Sequence, residues 1–320
     1  MTRIFVTGGS GFVGGRLIER LVADGHAVRA LARSDAAAAL VAGLGAVAVR
    51  GDLGDVAALR AAASDCELAF HAAARASRSG SRERFWADNV DGTANVLRAV
   101  RDAGVRRLVH VGTEAALMAG RPLVDVDETA PLRPDSPVPY SASKAAAERA
   151  ALDAEGLETV VLRPRFVWGT GDSTVLPELV DAVKSGRFAW IGGGRHLTDT
   201  THIDNAVEGL LLAAEHGRPG HAYFVTDGEP VVFRDFVTDL LDTQGVAAPR
   251  RTLPTGLARL AAGTGEAVWR ALRLPNAPPL DRMTLWLSSQ QCTIDTTKAR
   301  TELGYVPVRT RAEGLAELRG

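Results

Sequence analysis

A glycine-rich turn near the amino terminus limits the folds open to this chain more than any other feature. Gly8, Gly11 and Gly14 follow the apolar run of residues 3–7, and residues 14–24 carry apolar side chains at helical spacing. A strand, a turn with this glycine spacing and a helix form the fingerprint of a dinucleotide-binding unit. The glycines permit a tight turn, close approach of the backbone to a pyrophosphate, and close packing of the helix on the strand. The helix amino terminus adds partial positive charge for the phosphates.

Alternating strands and helices are predicted beyond the turn. Predicted strands cover residues 3–7, 27–32, 46–50, 68–71, 107–111 and 159–162, and predicted helices cover 14–24, 56–63, 88–103 and 139–155. Almost wholly apolar strands between helices indicate a parallel sheet covered on both faces. We therefore predict a doubly wound α/β fold of the Rossmann type. Residues 1–164, with interleaved elements near 200–228, are expected to form the dinucleotide-binding domain.

The second half is expected to form mainly a smaller substrate-binding lobe, over residues 165–320. Its pattern predicts helices near 176–185, 206–215 and 233–244 and short strands near 188–191 and 222–226, with no clear period in 246–290. Apolar residues of 256–290 either line a site for an apolar ligand or form the ordinary core of this lobe, and these include Leu257, Leu260, Val268, Trp269, Leu272, Leu285 and Trp286.

Composition excludes several classes of protein. The formal net charge is −1 and no long run of one sign occurs, which argues against a nucleic-acid partner. Two cysteines in 320 residues form neither a disulfide framework nor a metal-ligand cluster, so no metal site is expected. The chain shows no secretion signal and no uninterrupted apolar stretch that would span a membrane. We expect a cytoplasmic enzyme.

The end of the second predicted strand bears on the choice of dinucleotide. An acidic residue at this place binds the ribose 2′-hydroxyl of NAD, whereas an arginine accommodates the 2′-phosphate of NADP. The chain has Arg33, Ser34 and Asp35 here. Arg33 and Ser34 favour NADP over NAD, whereas Asp35 favours NAD. The alternative for Arg33 is a solvated side chain without a role in binding. Asp52, after the third strand, either accepts from the adenine amino group or caps the following helix.

Tyr140 and Lys144 are candidates for acid–base chemistry. A spacing of four residues places both side chains on one face of the predicted helix. Three tyrosines and three lysines in 320 residues predict only about 0.03 chance matches to this spacing. An ammonium group and a positively charged nicotinamide both favour a phenolate, so the pKa of Tyr140 is expected to fall toward neutral pH. Thr113, just after the fifth strand, is the candidate for a hydroxyl that polarises a substrate oxygen, unless it only caps the strand end.

Several motifs together resemble the extended short-chain dehydrogenase/reductases. The chain is most similar to their NAD(P)-dependent epimerase/dehydratase and 3β-hydroxysteroid-dehydrogenase-like branch. The motifs are TGGSGFVG at 7–14, GD at 51–52, HAAA at 71–74, NVDGTANVL at 89–97, HVGTEA at 110–115, YSASK at 140–144, LRPRFVWG at 162–169, THIDNAVEG at 201–209 and ARTELGY at 299–305. The resemblance covers essentially the whole chain, but these motifs do not identify a substrate.

The resemblance implies roles for individual residues. Thr113, Tyr140 and Lys144 would be catalytic, and Asn89 would brace the active-site end of the sheet. The cofactor would be bound by Gly8, Gly11, Phe12, Val13, Gly14, Arg33, Ser34, Asp52, Leu53, Ala72, Ala73, Ala74, Asn89, Tyr140, Lys144, Pro164 and Val167. Members of the family are often dimers through two long helices, here about 88–103 and 139–155, so a homodimer is expected.

Two departures from the family pattern affect the expected substrate. Gly112 stands where a serine or threonine is usual, which leaves Thr113 as the hydroxyl of that turn. Thr198 stands where members acting on nucleotide sugars carry an arginine for the diphosphate, and a neutral hydroxyl cannot replace that contact. Arg195 would substitute only in part. Residues 75–87 are expected to shape the pocket, among them Arg75, Ser77, Arg78, Arg82, Phe85 and Trp86.

Three functions remain open at this point. The first is an NADP-linked oxidoreductase acting on a secondary alcohol or ketone of an apolar or cyclic compound, steroid-like or a β-hydroxy or β-keto compound. The second is a nucleotide-sugar epimerase or dehydratase with tightly held NAD. The third is a nucleotide-sensing protein without catalysis, against which the intact Thr113, Tyr140 and Lys144 argue.

Overall fold

The computed structural model describes residues 1–76, 80–272, 278 and 280–319. Its strands β1 to β15 cover, in chain order, Arg3–Thr7, Ala27–Ala32, Val47–Arg50, Leu68–His71, Arg107–Val111, Leu123–Val126, Glu158–Pro164, Val167–Trp168, Trp190–Ile191, Leu197–Thr198, Thr201–His202, His221–Val225, Val231–Val232, Thr252–Leu253 and Cys292–Ile294. Its α-helices α1 to α12 cover Phe12–Ala23, Asp35–Gly43, Val56–Ala63, Arg82–Phe85, Gly92–Asp102, Pro139–Leu152, Val175–Lys184, Ile203–His216, Phe233–Thr243, Thr255–Ala271, Arg282–Ser289 and Arg311–Leu318.

A parallel sheet organises the described residues. Its strands lie in the order β3-β2-β1-β4-β5-β7-β12. The chain builds outward from β1 in one direction as far as β3 and then in the other direction from β4. The order therefore reverses between β1 and β4, and ligands of such sheets bind in the crevice outside the carboxyl ends of the strands at that point. The predicted doubly wound fold is confirmed.

Side chains alternate between the two faces of the sheet, and each face is covered by helices. Ile4 and Val6 of β1 belong to a core with α1 and α8, whereas Phe5 belongs to a second core with α3 and α5. Burial on both faces explains why these strands are almost wholly apolar in the sequence. The predicted sheet strands all occur, with ends that move by one or two residues: 46–50 becomes Val47–Arg50, and 159–162 becomes Glu158–Pro164.

Five helices were not predicted from the sequence, namely α2, α4, α10, α11 and α12, and two of them show why. Helix α2 is alanine-rich, so no polar face marks its period, although Ser34 caps it by accepting from the amide of Ala37. Helix α10 lies in the stretch that showed no clear period. Small Ala258 and Ala262 face inward there, while Leu257 and Leu260 are 58% and 65% exposed. The apolar pattern is thus inverted relative to an ordinary amphipathic helix.

Short strands and helices form a second layer beside the carboxyl ends of the main sheet. Strands β13, β10, β15 and β6 make a small mixed sheet, and the pairs β11-β8 and β14-β9 lie beside it. Helices α10 and α11 pack against each other within this layer. Among the described helices, none has the length and apolar character needed to cross a membrane.

Candidate active site

The glycine turn forms a cradle that side chains would fill. Gly8 has a φ of +75°, and a Cβ there would lie 2.5 Å from the nitrogen of Ala73. A Cβ on Gly14 would lie 2.2 Å from the carbonyl oxygen of Gly8. The amide of Gly11 donates to that same oxygen at 2.9 Å, which closes the turn. These positions accept only glycine without movement of the backbone, as close approach to a pyrophosphate requires.

Helix α1 presents its first amides at this cradle. Gly11 is its N-cap, and no side chain of the described residues caps the amides of the first turn, which begins with Phe12 and Val13. Ala72, Ala73 and Ala74 leave β4 beside the turn, and Ala72 donates to the carbonyl of Thr7. The predicted phosphate-binding residues thus meet at the crevice between β1 and β4. Uncapped amides and the helix dipole suit the pyrophosphate of a dinucleotide.

The carboxyl end of β2 carries two arginines. Arg33 follows the strand and is exposed, which fits both a cofactor contact and the alternative of a solvated side chain. Arg50 lies opposite Ala32 in the parallel register and donates to its carbonyl at 3.3 Å. Asp35, which argued for NAD, lies 3.5 Å from the Arg50 guanidinium. The sequence analysis missed Arg50, because only the register of β3 on β2 brings it to this place.

Asp52 and Leu53 lie in the turn after β3. The carboxylate of Asp52 accepts from the amide of Gly54 at 2.8 Å, and the residue is exposed. The alternative role of Asp52 as a helix cap is wrong, because Asp55 caps α3 by accepting from the amide of Ala58. The carbonyl of Leu53 is held by the amide side chain of Asn95 at 2.9 Å.

Asn89 joins two parts of the site. It is buried within the π-helical turn Trp86–Asp91. Its side-chain oxygen accepts from the amide of Arg75 at 2.6 Å, and its nitrogen donates to the carbonyl of Arg75 and to the hydroxyl of Ser143 at 2.9 Å. The loop after β4 is thereby tied to α6, as the expected bracing role requires.

Lys144 is buried below the carboxyl end of β5. Its amine donates to the carbonyl of Val111 at 2.8 Å and is 3% exposed at the residue level. Burial lowers the pKa of this amine to about 8, and the Glu148 carboxylate one turn further along α6 opposes that shift. Glu148 is itself paired with Arg163 in the core. The amine is therefore held in a site where loss of its proton is feasible near neutral pH.

Tyr140 lies in the first turn of α6, where Pro139 begins the helix. Its ring meets that of Phe85 edge to face, with centroids 6.4 Å apart. Burial raises the pKa of the phenol well above its ordinary value, and the negative charge of Glu114 raises it further. A hydrogen bond with Thr113 would lower this pKa only if the Thr113 hydroxyl donated its proton to the phenol oxygen. The expected fall in pKa is therefore not produced by the protein's own groups, since Lys144 is bound to Val111. Only a positively charged nicotinamide would supply it.

Thr113 lies close to Tyr140, but its hydroxyl is already engaged. It donates to the carboxylate Oε2 of Glu114 at 2.8 Å and accepts from the amide of Ala115 at 3.2 Å. Thr113 thus caps the 3-10 turn Glu114–Leu117 as well as facing the site. Glu114 adjoins Thr113 in the HVGTEA motif, yet nothing in the sequence indicated that it is buried.

Steric crowding accounts for the glycine before Thr113. A Cβ on Gly112 would lie 2.8 Å from Val161, 3.0 Å from the Oε2 of Glu148 and 3.2 Å from Arg163. The buried Glu148–Arg163 pair therefore occupies the volume that a serine or threonine would need. Thr113 is the hydroxyl of this turn because its neighbour cannot carry one.

Apolar side chains enclose the Tyr140 side of the crevice. Tyr140 packs in a cluster whose other members are Ala115, Met118, Leu123, Val138, Ile191, Leu253, Ala258, Ala262, Leu280, Met283, Leu285, Trp286, Leu287 and Cys292. Several of these come from the 256–290 segment, so part of it reaches the site while Leu257, Leu260, Val268 and Leu272 are exposed. Ser77, Arg78 and residues 273–277 lie outside the described residues.

Other predicted residues flank this region. Pro164 ends β7, the neighbour of β5, and Val167 begins β8. Arg82 covers the ring of Trp86 at 4.3 Å. A cavity of about 540 Å³ borders the outer side of the glycine turn, toward Thr170 and Asp204. Tyr140 and Lys144 do not line that cavity, and Lys144 is bound at the carboxyl end of β5 instead.

Comparison with known proteins assigns the family. Residues 4–226 match the NAD dependent epimerase/dehydratase family. The chain is 47% identical to a 4-hydroxy-2-methyl-3-oxo-4-farnesyl-3,4-dihydroquinoline-1-oxide ketoreductase of Stigmatella aurantiaca, covering 99% of this chain and 96% of that protein. It is 38% identical to a 2-alkyl-3-oxoalkanoate reductase of Stenotrophomonas maltophilia, covering 99% and 98%.

A solved structure shares the fold over nearly its full length. It is the dTDP-glucose 4,6-dehydratase DesIV of Streptomyces venezuelae with NAD bound, at 25% identity and a TM-score of 0.76, covering 99% of this chain and 95% of that one. The resemblance read from the motifs, including its hydroxysteroid-dehydrogenase-like branch, is confirmed. The chain therefore belongs to the NAD dependent epimerase/dehydratase family, and it is an NAD(P)-dependent oxidoreductase that transfers hydride at a hydroxyl or keto group.

Proposed function

We propose that this enzyme reduces a ketone carried on a large apolar molecule, with NADPH as the reductant and Tyr140 as the proton donor. The observation that supports the proposal is the position of Tyr140. It lies one helical turn from Lys144 and packs in the apolar cluster built by Met118, Val138 and helix α11. A site of this composition favours an apolar substrate around one polar, reacting group.

The names of similar proteins support the same substrate class. The ketoreductase at 47% identity is named for a keto group on a ring that carries a farnesyl chain. The reductase at 38% identity is named for a 3-oxoalkanoate that bears an alkyl group. We propose that the substrate of this chain likewise has a carbonyl beside an apolar ring or chain.

The protein's own residues would supply position and protons for the reaction. A bound nicotinamide supplies the hydride that reaches the carbonyl carbon. The Tyr140 phenol, neutral in its apolar site, donates its proton to the carbonyl oxygen, and general acids of this kind contribute roughly 10²–10⁴-fold. Lys144 is held at Val111, and Asn89 fixes helix α6 to the loop after β4. The apolar walls exclude water from the reacting groups.

We propose NADP rather than NAD on the basis of charge at the end of β2. Arg33 and Arg50 both reach this place, and Asp35 is drawn toward Arg50. Guanidinium groups suit a phosphate monoester, which NAD lacks at its ribose. Ser34 uses its oxygen to cap α2, so the two arginines are the stronger candidates for the 2′-phosphate.

A nucleotide-sugar epimerase or dehydratase is the alternative. Thr198, in the place of the diphosphate-gripping arginine, is fully buried, and its hydroxyl accepts from Arg165 at 3.2 Å. Arg195 is exposed in the loop before it. A buried neutral hydroxyl that already accepts a hydrogen bond from Arg165 cannot make the charged contact with a diphosphate that an arginine makes.

A carbonyl panel with matched variants tests the proposal. The purified protein should oxidise NADPH in the presence of 2-alkyl-3-oxoalkanoates or alkyl-substituted cyclic ketones. Tyr140→Phe should lose at least about 100-fold in turnover while it still binds NADPH. Tyr223→Phe, whose hydroxyl bonds Glu302 far from the site, should keep it. Full turnover by Tyr140→Phe, or conversion of dTDP- or UDP-sugars without net NADPH use, would exclude this function.

The expected assembly, location and division are proposals as well. We propose a homodimer through α5 and α6, which pack side by side on one face of the sheet. Light scattering on the purified protein would return a monomer mass if this is wrong. We propose a cytoplasmic location, where reduced dinucleotide is supplied, and cell fractionation tests it. We also propose that 165–320 mainly forms the substrate lobe, which limited proteolysis with and without substrate would probe.

A further inference from the structure

A buried ion pair stands directly behind Thr113. The guanidinium of Arg165 donates to the Oε1 of Glu114 at 2.6 Å, and their side chains are 1% and 4% exposed. Arg165 also donates to Thr198. The guanidinium and the carboxylate form a buried ion pair, in which each group is the counter-charge of the other. Glu114 is thus a fixed negative charge next to the candidate acid–base group.

The hydrogen bonds around Thr113 have a direction that follows from counting protons. A threonine hydroxyl has one proton to give. An ionised carboxylate only accepts, so the 2.8 Å bond between Thr113 and the Oε2 of Glu114 uses that proton. The Thr113 oxygen accepts a hydrogen bond from the amide of Ala115, and one lone pair remains for a second donor. In this arrangement Thr113 can accept from Tyr140 but cannot donate to it or to a substrate oxygen.

Building on the proposed ketone reduction, we propose that Glu114, held by Arg165, is a positioning residue: it accepts the hydrogen bond of the Thr113 hydroxyl and leaves Tyr140, not Thr113, to donate to the substrate oxygen. The arrangement favours reduction over alcohol oxidation. Reduction needs a phenol that carries its proton, whereas oxidation needs a phenolate to accept one. The negative charge of Glu114 stabilises the protonated phenol, and a Thr113 hydroxyl that only accepts gives no hydrogen bond to a phenolate.

Other charged groups face this cluster. Lys144 lies one turn from Tyr140 on the same helix, and its charge acts against that of Glu114. Asp199, before β11, and the Cys292 thiol of β15 also face Arg165. Burial raises the pKa of Asp199 to about 7 and that of Cys292 to about 12, so neither adds a full charge at neutral pH. Glu114 is therefore the nearby negative charge that disfavours a phenolate. Burial and Glu114 together raise the pKa of Tyr140.

Titration of Tyr140 tests the inference without relying on turnover. The chain has three tyrosines, so the phenolate absorbance of the protein minus that of Tyr140→Phe isolates this residue. The titration is run upward from neutral pH, with and without bound oxidised dinucleotide. In Glu114→Gln, Tyr140 should form phenolate at a pH about one unit lower than in the wild-type protein. The substitution removes the negative charge and leaves the Thr113 hydroxyl free to donate to the phenolate. An unchanged or higher titration would overturn the inference.

Thr113→Val distinguishes the two possible directions of a hydrogen bond between Thr113 and Tyr140, because each direction predicts a shift of the Tyr140 titration with a different sign. If Thr113 accepts from Tyr140, the valine variant forms phenolate at the same pH or lower. If Thr113 donates to Tyr140, the variant forms phenolate at higher pH, and the inference fails. The double variant adds a coupling test, since the part of the Glu114→Gln shift that acts through Thr113 should vanish in the Thr113→Val background.

A second substitution covers the case in which Glu114→Gln does not fold because Arg165 loses its charged partner. Glu114→Asp keeps a carboxylate for Arg165 but withdraws it from Thr113 by one methylene. It should shift the titration in the same direction by a smaller amount. In kinetic assays both variants should raise the ratio of alcohol oxidation to ketone reduction severalfold. Titration shifts without any carbonyl turnover would count against the proposed function alone, whereas turnover without shifts would count against this inference alone.

Discussion

Glu148 and Arg163 form an ion pair sealed from solvent, one helical turn beyond the amine of Lys144. The guanidinium Nε donates to the Oε1 of Glu148 at 2.7 Å, and the two side chains are 0% and 2% exposed. This pair fills the space beside Gly112. Its Glu148 carboxylate is also the negative charge that raises the pKa of the Lys144 amine against the effect of burial. One internal contact thus excludes a side chain at position 112 and partly offsets the effect of burial on the pKa of Lys144.

Removal of the charge on Glu148 should destabilise the protein strongly. Glu148→Gln leaves the Arg163 guanidinium buried without its counter-charge, which costs about 3–5 kcal/mol in comparable cases. Urea unfolding at neutral pH measures this loss. Asp135→Asn is the matched control, because its pair with Arg133 is exposed and contributes about 0–1 kcal/mol at most. Similar stabilities for the two variants would show that the buried pair is dispensable.

The depressed pKa of Lys144 should give a stability that rises with pH. The folded protein holds this proton up to about pH 8, whereas an unfolded lysine holds it to about 10.4. Between these values the unfolded chain binds more protons, so the free energy of unfolding increases with pH, and below pH 8 the penalty is fully present. The integrated change is of the order of 3 kcal/mol.

The Lys144 prediction is measured as a difference from Lys144→Met, which cancels the titration of other groups. Urea unfolding of both proteins at intervals from pH 7 to above 10 gives the comparison. The wild-type protein should gain stability relative to the variant over this window. A difference that stays flat, or one that falls as pH rises, would contradict the lowered pKa.

A serine at position 112 should not restore the usual family pattern. Gly112→Ser would push its Cβ to 2.8 Å from Val161 and 3.0 Å from the Glu148 carboxylate. Overpacking of this kind costs about 1–3 kcal/mol, so the melting temperature should fall by several degrees. Gly43→Ser is the control, because a Cβ there meets nothing within 4 Å. Equal melting temperatures for the two variants would refute the crowding argument.

Selectivity for NADP should depend on both arginines at the end of β2. Arg33→Ala and Arg50→Ala should each weaken NADP binding about tenfold, the effect of losing one charged hydrogen bond, and leave NAD binding unchanged. Calorimetric titration with both dinucleotides measures the two affinities. Arg3→Ala, at the amino end of β1 and hence the opposite edge of the sheet, is the control. Equal losses for NADP and NAD would place the 2′-phosphate elsewhere.

Local sequence patterns were sufficient for the sheet strands, the glycine turn and the placement of Tyr140 and Lys144 on one helix. Residues 68–71 and 107–111 are strands with the predicted bounds, because a strand buried on both faces is marked by its own apolar residues. The turn from Gly8 to Gly14 is likewise predictable from the sequence, since its backbone conformation and close packing require glycine. Tyr140 and Lys144 share a helix, so their spacing alone predicts that they are neighbours.

Tertiary structure alone decided which groups surround those residues. Arg50 reaches the cofactor end of β2 through strand register, and Glu114 meets Arg165 across 51 residues of chain. The pKa of Tyr140 rises instead of falling, because its value depends on burial and on a carboxylate from another element. Side-chain spacing along one helix carries no information about such distant partners. The sequence therefore determined the kind of chemistry, and the packing of distant segments decided the charge environment in which it takes place.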